Sequence, residues 1–402
     1  MLRTIAESYR QAFSGLPRPI WTLASVTLVN RAGTMVLPFL ILYLTTERGL
    51  PPRQAGSLLA VYGFGSMLGA WLGGWLSDRI GAVRVQGFSL GLSGLAFLIL
   101  GELESITSIA AALAMLAVFA ESFRPANAAA LAHLSPPEVR LRAFALRRLA
   151  INVGMTLGPA IGGFLAVIDY QWLFRVDGAT CLASALLLRL MLWKREGEAE
   201  EERATEADGA VVSPWNDRLF LGFLVLTFLL ASVFFQIVST FPLTLREIYG
   251  MSEDRIGLVL ASNTVLIVLF EMVLTHRLER RPPLKVLALG AFLACLGFAL
   301  LPLGTTFVFV LGTVVIWTFG EMIAAPTSEG FVASRAAPSA RGRFMGLYVM
   351  SWSLAFVVAP VAGTFVYSRF GPGPLWLGCG LLGVVLACGF LVLASRHTHT
   401  GD

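Results

Sequence analysis

Charge is what this 402-residue sequence most lacks. Asp, Glu, Lys and Arg together make up 14% of it, whereas a soluble domain carries about 25%. Set against 56% hydrophobic residues, that deficit excludes an ordinary water-soluble domain. Lysine is nearly missing, Lys194 and Lys285 being the only two. The remaining basic residues are arginines scattered singly between apolar runs, with no basic stripe and no interleaved aromatics. The formal charge of +5 therefore reads as membrane topology and not as a nucleic-acid footprint. Cysteine is scarce: Cys181, Cys295, Cys379 and Cys388 sit inside apolar runs without CxxC spacing, which argues against a disulfide framework or a thiolate metal site. The four histidines fall at helix ends or in the tail, and no metal is expected. No nucleophile–base pairing of His, Cys, Ser and acids is evident at membrane depth, so the expected chemistry is not enzymatic.

What is present is a series of long apolar runs. A spanning helix needs about 20 largely apolar residues. Runs of that kind fall near 20–44, 55–77, 85–104, 108–133, 143–167 and 171–193, and again near 217–245, 255–276, 285–304, 306–333, 342–368 and 373–395. The expected architecture is all-α and integral to the membrane, with twelve transmembrane helices in two six-helix bundles. Residues 1–193 form the first bundle and 218–402 the second. Between them, 194–217 is an acidic linker containing Glu196-Gly-Glu198-Ala-Glu200-Glu201-Glu202. About twenty mixed residues precede the first run, so that helix is expected to serve as its own insertion signal. Twelve spans put both termini on one side. With that side taken as cytoplasmic, 22 basic residues lie on it and 6 on the other, which places both termini inside.

A shift of 201 residues aligns the two halves almost without gaps. Gly56 falls on Gly257, Asp78 on Glu279, Arg79 on Arg280, Arg140 on Arg341, Pro159 on Pro360 and Gly162 on Gly363. Phe119-Ala-Glu121-Ser-Phe-Arg124-Pro125 echoes Phe319-Gly-Glu321-Met-Ile-Ala-Ala-Pro326 with a one-residue slip. Duplicated bundles are the architecture of many secondary transporters. A membrane enzyme has no need of that symmetry, and a channel is more naturally an oligomer of shorter chains.

Between spans 2 and 3 the sequence reads Gly73-Gly74-Trp-Leu-Ser-Asp78-Arg79-Ile-Gly81-Ala-Val-Arg84. Glycines there permit a tight turn and close backbone approach. Asp78 can accept from a helix N-terminus, and Arg79 and Arg84 hold to the charged face. Span 5 carries Gly154-Met-Thr-Leu-Gly158-Pro159-Ala-Ile-Gly162-Gly163, small residues for close helix packing around a bend. The first motif resembles the G-x-x-x-D-R-x-G-x-x-R signature of the major facilitator superfamily. The second resembles the span-5 motif of that superfamily's drug:proton antiporters. Two departures stand: the antiporters' further upstream glycine is Ala145 here, and their R-x-x-Q-G motif is absent from span 4.

A charge in the bilayer centre costs about 2.5–3.5 kcal/mol on insertion scales. Near mid-span lie Arg31, Glu121, Arg124 and Glu321, with Gln236 as a neutral companion. The resemblance implies that spans 1, 4, 7 and 10, which hold all five, line a cavity. Arg31, Asn30, Arg124 and Gln236 are the candidate substrate ligands. Glu321 has no basic neighbour within a turn and is the first candidate proton carrier, with Arg31 as its candidate partner. Glu121, the second, stands one turn from Arg124, and a purely structural ion pair weighs equally there. Glu271 on span 8 reads as interfacial. Asp78, Arg79, Gly74, Gly81, Arg84, Gly154, Gly158, Pro159, Gly162 and Gly163 are the candidate conformational-gating residues. Gly65, Gly69 and Gly73 read as a smooth face for a moving partner helix.

The expectation is a secondary active transporter, a drug:proton antiporter in type, of the bacterial inner membrane. It would work as a monomer without a cofactor, exporting small hydrophobic or amphipathic molecules on the proton gradient. Its partners would be substrate, protons and the bilayer, with no nucleic acid. A metabolite uniporter or importer and a lipid translocator are the alternatives of the same fold. A membrane-integral enzyme or sensor is the alternative from another class.

Overall fold

A segment crossing hydrocarbon must close its backbone hydrogen bonds on itself, and a helix does so within one stretch of chain. The computed structural model describes residues 15–136, 139–193, 214–278, 281–335 and 341–399, and among these residues there is no strand. In chain order the helices are α1 (Arg18–Ala32), α2 (Val36–Leu42, prolonged by a π-turn over Tyr43–Glu47), α3 (Pro52–Ile80), α4 (Ala82–Glu102) and α5 (Ile106–Leu134). Next come α6 (Arg140–Ile168), α7 (Gln171–Leu192), α8 (Arg218–Phe234), α9 (Thr240–Glu247) and α10 (Glu253–Leu278). The chain closes with α11 (Pro283–Ala299), α12 (Phe307–Arg335), α13 (Arg341–Phe370) and α14 (Pro372–His399).

Among the described residues, ten segments are both long enough and apolar enough to span a membrane, the first being α1 and α2 together over Arg18–Glu47. The other two expected spans correspond to α7 and α10. They are 22 and 26 residues long but carry more charge: Arg175, Asp177 and Arg189 on α7; Glu253, Asp254, Arg255 and Glu271 on α10. Of the expected linker, residues 194–213 lie outside the described residues, and Pro214–Asn216 forms a short 3-10 turn.

By packing, the chain divides into two units, Met1–Val36 with Gly65–Thr205, and Leu37–Phe64 with Glu206–Asp402. In the first unit α4 packs on α5 and α7, and α1 on α6 and α7. Its core gathers Ile20, Leu23, Val26, Leu90, Phe123, Leu131 and Leu188. The glycines of α3 face inward here: a Cβ on Gly65, Gly69 or Gly73 would stand 2.6, 2.4 or 2.5 Å from the carbonyl oxygens of Ala114, Val118 and Ser122. Ser122 Oγ also donates to the Gly69 carbonyl at 2.9 Å. That stripe is packed closely on the α5 backbone.

In the second unit α11 packs on α12 and α14, α8 on α13 and α14, and α10 on α12. The Phe298 ring stacks on Trp317 at 5.3 Å and on Trp376 at 5.7 Å, all three almost fully buried. Residues 37–64, expected with the first bundle, belong to this unit because small residues admit α13. A Cβ on Gly56 would stand 2.7 Å from the Pro360 carbonyl oxygen, and one on Gly63 2.8 Å from the Phe356 ring.

Asp217 caps α8, accepting from the Phe220 amide at 3.0 Å, and receives the Arg335 guanidinium from the end of α12. Burial pushes its carboxyl up, but Arg335 and the amides of Phe220 and Leu219 outweigh burial and hold it below the ordinary value. A depressed folded-state value gives stability that is present above the unfolded-state value and lost as pH falls through the folded one. Asp217→Ala should therefore remove about 1–2 kcal/mol at neutral pH and flatten the loss of stability below pH ~4. Thermal unfolding in detergent across pH checks it; an unchanged midpoint and acid limb would show the latch to be idle.

Candidate functional site

Span 1 is broken. α1 stops at Ala32 and α2 restarts at Val36, so the amides that open α2 need acceptors from elsewhere. Asp177 of α7, fully buried, supplies them: Met35 N donates to both of its oxygens at 3.0 Å, and Val36 N donates to Oδ2 at 2.8 Å. The span-5 motif packs on the same break. A Cβ on Gly154 would stand 2.5 Å from Arg31 Cβ, and one on Gly158 3.0 Å from the Thr34 carbonyl oxygen. Pro159 lies inside α6, and Gly162 and Gly163 are buried.

Glu121, Arg124 and Asn127 follow one another at three-residue spacing, which puts them along one side of α5. Arg124 meets Glu121 at 3.4 Å, the arginine side chain 66% exposed and the acid 18%. Arg147 of α6 reaches in and donates from Nε to Asn127 Oδ1 at 2.6 Å. Asn127 in turn donates to Gln86 Oε1 at 3.0 Å. Arg31 is half-buried, and Asn30 donates weakly to Cys181 Sγ at 3.6 Å.

The turn between α3 and α4 is built on Gly81, whose φ of +94° favours glycine. Arg79 lies 4.0 Å above the Trp75 ring, and Arg84 donates to the Ile80 carbonyl at 3.3 Å. Gly74 was expected to allow close approach, but a Cβ there would meet open space; Gly73 takes that role. The Asp78 side chain lies outside the described residues.

In the second unit, span 7 is broken as well, by a 3-10 turn over Phe235–Val238. Gln236 sits in the turn, donating to the Ser232 and Ala359 carbonyls at 3.1 and 3.0 Å and accepting from Thr240 and Ser239 at 2.7 and 3.2 Å. Its amide is thus engaged in holding the break and does not stand open to a ligand. Glu321 is half-buried on α12 and accepts from Asn263 Nδ2 at 2.8 Å; the same nitrogen reaches Thr318 Oγ1 at 3.1 Å. Glu271, read as interfacial, is 8% exposed and close enough for its charge to act on Glu321. Glu321 lines a narrow pocket of about 20 Å³ with Phe234, Phe298, Trp317, Ser328 and Trp352. The Trp317 indole nitrogen is buried and makes no hydrogen bond among the described residues.

The sequence pattern of the Major Facilitator Superfamily matches residues 23–360. This chain belongs to that superfamily. It is 27% identical over 388 residues to the tetracycline resistance protein, class D, of Salmonella ordonez, spanning 89% of this chain and 91% of that one. To the Na(+), Li(+), K(+)/H(+) antiporter of Planococcus maritimus it is 24% identical, spanning 92% and 94%. A crystal structure of a mutant peptide transporter POT shares the fold at a TM-score of 0.82 and 16% identity, over 96% of both chains. As a member of the superfamily, the chain is a multi-pass membrane transporter.

Three polar residues of this superfamily member escaped the reading of its sequence: Asp177, Asn263 and Arg147. Each is a lone polar group in or beside an apolar run, and the available signal was its rarity there. Asp177→Leu strands the Met35 and Val36 amides at about 1–3 kcal/mol each, and Asp177→Asn retains one acceptor. The thermal midpoint in detergent should fall in the order parent, Asn, Leu. A Leu variant as stable as the parent would show that the break holds itself.

Proposed function

We propose that this transporter couples proton movement to the export of small hydrophobic or amphipathic molecules by alternating access. The twelve helices would stand in two bundles, in a bacterial inner membrane, with both termini cytoplasmic and the monomer as the working unit. One observation carries the coupling: Glu321 faces an aromatic pocket while its hydrogen bond comes from a neutral amide, Asn263. A carboxyl held by a neutral donor can take up and release a proton without stranding a paired charge. Glu121, beside Arg124, would leave a guanidinium uncompensated on protonation, so it is the lesser candidate. The lining of this narrow pocket has the chemistry for an amphipathic guest once the site opens, with aromatic rings for the apolar body and the buried Trp317 indole N–H for an acceptor on it. The names of the two relatives, a tetracycline resistance protein and a cation/proton antiporter, support export and antiport.

Tetracycline and a panel of amphipathic aromatic dyes serve as first substrates, in proteoliposomes with and without an imposed pH gradient. Glu321→Gln mimics the permanently protonated form. It should abolish accumulation against a gradient while leaving substrate exchange within about twofold of the parent, and Glu121→Gln should impair accumulation less. If Glu321→Gln still concentrates substrate and Glu121→Gln does not, the two acids trade places. If neither matters, the protein is a uniporter. Topology is tested separately: a periplasmically active phosphatase fused after Asp402 should stay silent, and strong activity would sink the orientation.

A further inference from the structure

A carboxyl about 20 Å from either end of α12 trades protons with water only along a chain of groups that both donate and accept. The α12 sequence supplies the start of one. Glu321, Ala324, Ala325 and Ser328 follow at i, i+3, i+4 and i+7, which is one stripe of a helix, and all four line the same narrow pocket. The two alanines leave that stripe bare, so the pocket runs from the carboxyl to the Ser328 side chain, about 10 Å further along the axis. Its volume of about 20 Å³ admits one water.

From Ser328 the polar contacts continue. Ser328 and Tyr348 of α13 are both buried and are hydrogen-bond partners, with Trp352 as a second partner of the Tyr348 hydroxyl. The Tyr348 ring is held by Phe223, stacked at 6.3 Å, and by Trp352 at 6.5 Å. The next residue on α12, Glu329, is exposed and close enough for its charge to act on the Tyr348 hydroxyl. It lies about 9 Å from the Arg335 end of the helix. An exposed carboxylate at that depth faces water, since turning it to hydrocarbon costs too much. Glu271 of α10 acts on Glu321 at the other end of this series. The remaining helices packed on α13 carry their charged groups at helix ends: Arg218 on α8, Arg246 and Glu247 on α9, Arg396 on α14. Two buried hydroxyls therefore stand between a buried acid and an exposed one.

We infer that Glu329, Tyr348 and Ser328 form the route by which Glu321 exchanges its proton with water. Glu329 takes a proton from solvent and passes it to the Tyr348 oxygen as Tyr348 gives its own to Ser328 Oγ. Ser328 gives up its hydroxyl proton in turn, through the one water that the pocket admits, to the Glu321 carboxylate. Each hydroxyl ends as it began, Glu329 is ionised again, and one proton has moved; release runs the same steps backwards. The route rests on Glu321 as the proton carrier, and it is tested on that carboxyl itself with no substrate present.

The full-length protein is reconstituted in liposomes, and protons released by light from a caged compound drop the pH while infrared absorption follows the protonated-carboxyl region. The Glu321 band is the one that Glu321→Gln removes. In Tyr348→Phe, which keeps the ring and its stacking, and in Ser328→Ala, that band should rise at least tenfold more slowly than in the parent but to the same final amplitude, since losing a positioned proton donor costs that much or more. Glu329→Gln should slow it several-fold. Ser328→Thr and Glu329→Asp, which retain the hydroxyl and the carboxyl, should stay within about twofold of the parent rate. A merely structural role would move the amplitude or the thermal midpoint and would not leave both in place while the rate falls. A Glu321 band that rises at the parent rate in both Tyr348→Phe and Ser328→Ala overturns the route and leaves Glu321 standing as carrier. A parent with no pH-dependent band that Glu321→Gln removes overturns the carrier and the route together.

Discussion

A backbone amide inside hydrocarbon has no water to fall back on, and each unsatisfied one costs about as much as a lost buried hydrogen bond. Two spans in this protein nonetheless break, span 1 after Ala32 and span 7 after Phe234. The two repairs differ in kind. In the first unit a charged side chain from a different helix, Asp177, takes the freed amides. In the second, Gln236 closes the turn from within, and the Ala359 carbonyl of α13 accepts its spare N–H. The 201-residue shift sets Gln236 on Met35, the residue whose amide Asp177 binds. The duplication thus kept the break and changed what satisfies it. The neighbouring small residues follow from these repairs: Gly154 and Gly158 let α6 lie against the first break, and a Cβ on Gly363 would stand 2.0 Å from Gln236 Oε1 at the second.

The same requirement governs charge. A buried carboxyl needs either a cation, which fixes it ionised, or neutral donors, which leave its protonation free to change. Glu121 and Glu321 occupy matching places in the repeat and have taken these different courses, one beside Arg124 and the other beside Asn263. Aromatic rings make up much of the surroundings of Glu321, and the Trp317 indole nitrogen makes no hydrogen bond among the described residues.

The sequence revealed the helical class, most span positions and the mid-span charges, because apolar run length and the rarity of charge within runs are one-dimensional properties. Local spacing showed a basic neighbour for Glu121 and none for Glu321, which is as far as a one-dimensional pattern separates the two acids. Partnerships between helices were not legible. Nothing in the local pattern near Asn263 points to Glu321, 58 residues away, and nothing near Asp177 points to Met35. Arg147 was not singled out because helix ends are the least certain feature of an apolar run: a few residues decide whether an arginine is in a loop or about 10 Å inside. Gly65, Gly69 and Gly73 are legible as a stripe, yet a stripe does not name its partner; the α5 carbonyls against them do.

The repeat also shows what the two units changed at one position. With Pro125 set on Pro326, Arg124 falls on Ala325, a residue that lines the Glu321 pocket. Both halves kept a glutamate one turn before that position, and only the first carries an arginine there. An alanine in its place removes the cation that would hold the acid ionised. In the first unit the arginine is present and meets its glutamate at 3.4 Å. A single position in a duplicated helix therefore decides whether the acid beside it has a cationic neighbour or a neutral one.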